Sequence, residues 1–156
     1  MNMRNLKFTA WLMILAVLTA CLAGALGEGQ EILLPDGVHR MTVPKEMVWQ
    51  EPSSEESDLK GILLMPPELE MLVFAYESPA ENVQVLAEAL TNAGRPAEVR
   101  EIAGMEFLVF QDRDDADGAS CVGYSYLSGN LMTEISFFYS SQAAMDLTQT
   151  IMESFQ

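Results

Sequence analysis

Four strand-like runs lie between residues 97 and 139, and the connections within each pair leave room only for a reversal of direction. Residues 97–102 reach residues 105–111 through Ala103-Gly104, and residues 119–127 reach residues 131–139 through Ser128-Gly129-Asn130. A parallel crossover needs about a dozen residues or more. Both pairs are therefore expected to be hairpins, and the C-terminal half to be an antiparallel meander.

Upstream, residues 30–36 form a short lead ending in a Pro35-Asp36-Gly37 turn. Residues 38–43 alternate apolar and polar and close at Pro44, which reads as a half-exposed strand. EPSSEESD, within the polar stretch 51–60, reads as a loop. Residues 61–65 form an apolar strand stopped by Pro66-Pro67, and LEMLVFAY at 69–76 is apolar on both faces, so it is expected to be covered on both sides. Ser78-Pro79-Ala80-Glu81 carries the capping-box residues with proline at the first helical position. Val83, Leu86, Leu90 and Ala93 give that helix one apolar face, and Gly94 with Pro96 ends it. A last helix over 142–154, capped by Ser140 or Ser141, presents Ala144, Leu147, Ile151 and Phe155. The order βββ-α-ββββ-α predicts an α+β domain over 36–156, preceded by a lead at 28–35. Its architecture is a mainly antiparallel, twisted sheet of about six to seven strands with two helices packed on it.

The first 27 residues have a different character. Arg4 and Lys7 precede an apolar run from Phe8 to Val17 and the small-residue stretch LTACLAGALG, the pattern of an export signal. Three outcomes follow from it. Leu18-Thr19-Ala20-Cys21 resembles a bacterial lipobox, which makes Cys21 a candidate lipidation site and the product a tethered lipoprotein. Ala25-Leu26-Gly27 suits simple cleavage before Glu28 and release. Residues 8–26, left uncleaved, are just long enough to span a bilayer. The apolar residues directly after Cys21 favour simple cleavage. Removing residues 1–27 takes two of the eight basic residues and none of the 23 acidic ones, leaving six against 23, a net charge of −17. Such a surface excludes nucleic acid, whose phosphates demand a basic face, and is repelled by anionic lipid. Only Cys121 remains after the cut, so no internal disulfide is available, and its strand setting reads as a small buried apolar residue.

The Val43-Pro44 strand end leading to Trp49, the helix that follows an FAY-type strand, and the closing meander with a helix ending IMESF resemble the PsbP-like and DcrB-like α/β/α sandwich proteins. The resemblance covers about residues 36–156. Relatives there include an extrinsic subunit of the photosynthetic water-oxidising complex, a nuclear-transport factor and bacterial envelope lipoproteins. What the resemblance implies is a non-catalytic binding or assembly role; it supplies no functional residue at a matching position.

Candidate chemistry in the sequence is sparse. The run from Asp112 to Gly118 suggests a calcium loop, but with Gly118 at the sixth position Arg113 takes the first ligand place and Tyr124 the last, which no EF-hand tolerates. A hairpin turn closed by Asp117-Gly118 explains the run better, with Asp112, Asp114, Asp115 and Asp117 left as candidates for weak divalent-cation binding by charge. Gly118-Ala119-Ser120-Cys121-Val122 lacks the second glycine of a nucleophile elbow. His39 is the only histidine, reads as a surface or edge residue, and rules out a multi-histidine metal site. No glycine-rich phosphate loop precedes either helix, and no cofactor is expected. Tyr124 with Tyr126, and Phe137 with Tyr139, form either a core layer or an exposed stripe. Two functions stand. One is an exported, non-catalytic domain binding an unknown protein, peptide or small ligand at the cell envelope. The alternative is a small hydrolase with carboxylates meeting in a cleft, at least one of them with a raised pKa.

Overall fold

The computed structural model describes residues 29–50, 52, 58–65, 68–113 and 120–156. In chain order these form β1 (Gly29–Leu33), β2 (Arg40–Pro44), β3 (Val48–Gln50), β4 (Leu59–Met65), β5 (Leu69–Glu77), α1 (Val83–Asn92), β6 (Ala97–Ile102), β7 (Met105–Arg113), β8 (Ser120–Ser128), β9 (Leu131–Tyr139) and α2 (Gln142–Glu153). β1 and β2 pair as a separate antiparallel hairpin. The other seven strands form one sheet in the order β3-β4-β5-β9-β8-β7-β6, antiparallel at every step.

The fold class is the one the sequence predicts, with five strands before the first helix where the sequence reading had three. β1 lies in the stretch read as a lead. Its five residues hold only Ile32 and Leu33 as large apolar groups, too little alternation to signal a strand, and its order comes from a full five-pair register with β2. β3 is three residues long and owes its place to β4. The Pro35-Asp36-Gly37 turn is present: Gly37 has φ +71°, and the Gly37 N–H donates to the Leu34 carbonyl at 3.0 Å.

Both predicted hairpins are present. Ala103 and Gly104 have φ values of +52° and +81°, the double left-handed pair of a type I′ turn, and Gly129 at +65° opens the turn between β8 and β9. The long β5–β9 ladder, from Leu69 opposite Tyr139 to Glu77 opposite Leu131, then joins the two halves of the chain.

The start of α1 differs from expectation. Ser78 Oγ accepts from Ala80 N–H in a local turn, and the helix begins only after Asn82, whose side chain accepts from Val85 N–H at 3.1 Å. The C-terminal signal is correct: Gly94 has φ +80°, its N–H donates to Thr91, and Arg95 N–H donates to Leu90, which together make a Schellman close. α2 is capped by Ser141, whose Oγ accepts from Ala144 N–H. It buries Ala144, Thr148, Ile151 and Met152, with Leu147 half-buried.

The sheet thus has two unlike faces. On the first, Met71, Val73, Phe107, Tyr126, Ile135 and Phe137 are sealed beneath the β1–β2 hairpin and α2. On the second, α1 packs on β6, β7 and β8 through Val83, Ala87 and Leu108. Each large apolar side chain sealed this way contributes roughly 1.5–3 kcal/mol.

Candidate functional site

The second face of β5 departs from the expectation of full cover. Its inward residues Leu69, Met71, Val73 and Ala75 are buried, while Leu72, Phe74 and Tyr76, pointing the other way, are only half-buried. The register places Leu72 beside Ile62 and Glu70 beside Leu64 and Phe138, with Val48 next to Leu64 at the edge. Val48, Ile62, Leu64, Leu72, Phe74 and Phe138 therefore form one apolar tract on which no helix packs among the described residues. Two carboxylates, Glu70 and Glu134, are set into it. Periodicity in one strand cannot reveal this, because α1 is as amphipathic as cover would demand but is committed to the opposite half of the sheet.

Between α1 and the open tract the sheet floor is made of small residues. Along one cross-strand row Leu108, Ser125, Glu134 and Phe74 are neighbours, and along the next Phe110, Gly123, Ser136 and Leu72. Of these small residues Ser125 borders an open space, while Gly123 and Ser136 are buried under the larger side chains on either side. The Phe110 ring lies over Gly123, in the space a Cβ would occupy, and the Arg95 guanidinium sits over that ring, 5.6 Å from its centroid. A pocket of about 250 Å³ opens here, lined by Leu86 and Leu90 of α1, Tyr76, Phe110, Ser125 and Glu134. Ser136 Oγ donates to Glu134 Oε1 at 2.9 Å. Burial pushes the Tyr76 phenol above its ordinary pKa, and the neighbouring Glu134 carboxylate adds to the shift, so at neutral pH Tyr76 stays a hydrogen-bond donor. The result is a trough of mixed lining, apolar from α1 and Phe110, with Glu134 and Arg95 as its charged groups and Tyr76 and Ser125 as its polar ones, a geometry suited to holding a side chain or small ligand.

The first face contains a second polar constellation. Asp36 Oδ2 lies 2.5 Å from His39 Nδ1 and accepts from Tyr126 OH at 2.9 Å, while Asp36 Oδ1 accepts the backbone N–H groups of Val38 and His39. The Asp36 side chain is 1% exposed and that of His39 is 19% exposed. Burial alone would raise the Asp36 pKa; the His39 hydrogen bond, the two backbone donors and Tyr126 outweigh it and hold the carboxyl below its ordinary value. His39 also stacks on Phe155, with centroids 5.0 Å apart and planes 17° apart, and meets Tyr126 edge-on. The reading of His39 as a surface or edge residue is therefore corrected. β2 buries Met41, Val43 and Pro44, and residues 154–156 bond to its backbone: Arg40 and Gln156 exchange two backbone hydrogen bonds, and Ser154 Oγ bonds both Thr42 N–H and Thr42 C=O. The constellation is a staple joining the β1–β2 hairpin, β8 and the C-terminus.

The other sequence candidates fall as follows. Cys21 lies outside the described residues, as do Asp114, Asp115 and Asp117; Asp112 is placed in β7 opposite Cys121. Cys121 is buried in β8 at 8% exposure. Tyr124, Tyr126 and Phe137 make a core layer, not an exposed stripe. Glu101 and Glu153 share a hollow of about 520 Å³ between β6 and α2, and both are exposed there. The Tyr76–Glu134–Arg95 group of this pocket was not legible in the sequence, since its members come from β5, β9 and the turn after α1 and match no spacing rule.

Two solved structures superpose on this architecture over most of its length. One, a protein of Bacteroides thetaiotaomicron, gives a TM-score of 0.60 at 14% identity, covering 83% of this chain and 48% of that one. The other is cyanobacterial PsbP (CyanoP) from Synechocystis sp. PCC 6803, with a TM-score of 0.59 at 12% identity, covering 82% of this chain and 91% of that one. The fold is PsbP-like. This chain spans about half of the Bacteroides protein, whereas it matches nearly the whole of CyanoP. No protein-family profile and no curated protein sequence matches the chain.

Proposed function

We propose that this protein is an exported, non-catalytic docking domain that uses the open half of its PsbP-like sheet to hold an apolar, basic segment of a partner protein. The observation that carries the reading is the tract from Val48 to Phe138 beside the trough under α1: contiguous half-exposed apolar surface of this kind marks interaction sites. Glu70 and Glu134 within the tract, and the chain's formal charge of −15, favour a partner with basic groups. The hydrolase alternative needs a raised acid in a cleft. Asp36 is displaced in the opposite direction and is enclosed by the staple, and Glu101 and Glu153 are exposed.

Docking is tested with short synthetic peptides that alternate leucine with lysine or leucine with glutamate, titrated against isotope-labelled protein produced in its host. The lysine peptide is expected to perturb the amides of β5 and β9, and Phe74→Ser, which leaves the charge unchanged, to weaken its binding by about tenfold or more. Binding that is indifferent to Phe74→Ser, or that maps to the α2 side, would contradict the reading. Export is tested separately by the intact mass of protein recovered from the host. A chain beginning at Glu28 means release, lipid on Cys21 means a tether, full length with membrane fractionation means an anchor, and soluble full-length cytoplasmic protein overturns the address.

A further inference from the structure

We propose that a second copy of this chain pairs with the free edge of β6, extending the two sheets into one. Among the described residues β6 terminates the seven-stranded sheet, and all six of its residues pair regularly with β7, so its outer edge presents an unbroken row of backbone donors and acceptors. Edges of that length are usually blunted by bulges, inward charges or a covering element. Here the ladder has no bulge, the four central residues are exposed, and beside the strand lies an open hollow of about 310 Å³ bordered by Pro96, Glu98 and Val109. The opposite edge, β3, is only three residues long.

What selects a second copy as the occupant is the sequence of the edge itself, Ala-Glu-Val-Arg-Glu-Ile. Antiparallel pairing about a two-fold axis through Val99 sets Glu98 opposite Arg100 of the second copy and Arg100 opposite its Glu98, with Val99 facing Val99. Glu98 and Arg100 already form an ion pair along one face of the strand, so the pairing closes a square in which every neighbour has the opposite sign. Other registers lack this property. An axis through Arg100 opposes two guanidinium groups and an axis through Glu98 opposes two carboxylates, while an axis between residues is excluded because it would set side chains of opposite faces against each other. Charge thus fixes both partner and register, as isologous interfaces require. The α1 helices, each lying over β6 to β8 of its own copy, would stand on the same face of the joined sheet, and both docking tracts would stay open.

Light scattering on the purified full protein at physiological ionic strength tests this with charge exchanges whose folding is checked by melting. The native chain is expected to be a dimer. Glu98→Arg and Arg100→Glu, each alone, place like charges opposite one another twice and are expected to weaken dimerisation by about tenfold or more. An equimolar mixture of the two variants restores every opposite pair and is expected to give the heterodimer, and Glu98→Arg with Arg100→Glu on one chain is expected to dimerise like the native protein. A monomeric native chain at its solubility limit would overturn the proposal. So would a dimer insensitive to both single exchanges, or folded single variants that fail to complement one another.

Discussion

Phe155→Ala is expected to destabilise the domain by about 3–5 kcal/mol, although the residue is the last but one of the chain. Terminal residues usually fray; this one is 4% exposed, with its ring 5.0 Å from both His39 and Phe107 and 5.3 Å from Tyr126. Truncation to alanine leaves a cavity walled by three aromatic rings. These rings are fixed from the β1–β2 connection, β7 and β8, and they cannot all collapse inward together. The adjoining Arg40–Gln156 backbone pair holds the terminus in place, so the loss falls on the global transition and not on a local fray. Denaturant unfolding measures it, and Phe155→Leu, which keeps most of the volume, is expected to cost under about 1.5 kcal/mol. Because the cluster lies beneath the sealed face, peptide binding on the opposite face is expected to survive wherever the variant remains folded.

Asp36→Ala is the second large effect, about 2–4 kcal/mol at neutral pH. It strips the hydrogen-bond acceptor from Tyr126 OH, which is fully buried, and from His39, and it frees two backbone N–H groups of the turn. Its pH dependence has a definite sign. The folded-state pKa of Asp36 lies below its ordinary carboxylate value, so the unfolded chain takes up the proton first as pH falls. The charge-dependent part of its contribution is complete above the unfolded value and is lost as pH drops through the folded one. The gap in unfolding free energy between the native protein and Asp36→Ala is therefore expected to narrow as pH falls below about 4. A gap that widens on acidification would mean that Asp36 is held neutral in the folded state. Burial pushes the Tyr126 phenol well above its ordinary value, which keeps it a donor to Asp36 throughout this range.

What the sequence made legible was local. The Ala103-Gly104 and Ser128-Gly129-Asn130 connections carried the residues their turns demand, and β6 to β9 follow from them within one or two residues. The start of α1 was missed because two caps compete: Ser78 and Asn82 stand four residues apart, Pro79 and Glu81 suit the first, and only the packing of Val83 and Ala87 on Leu108 selects the second. His39 was misread because its partner Phe155 lies 116 positions along the chain, and strand alternation carries no information about what folds across it. The open tract was hidden for the same reason. The pattern of β5 demands cover on both faces, and nothing local reports that α1 is already committed elsewhere.

The central claim is that the uncovered half of the second face is where this protein meets its partner. A photo-crosslinking side chain at Phe74, expressed in the native host, tests it most directly when compared with the same group at Val85, which is 50% exposed on α1. The account predicts a discrete adduct of a single mass from position 74 and none from position 85. Adducts from position 85 alone, or an unlinked chain from both positions, would contradict it.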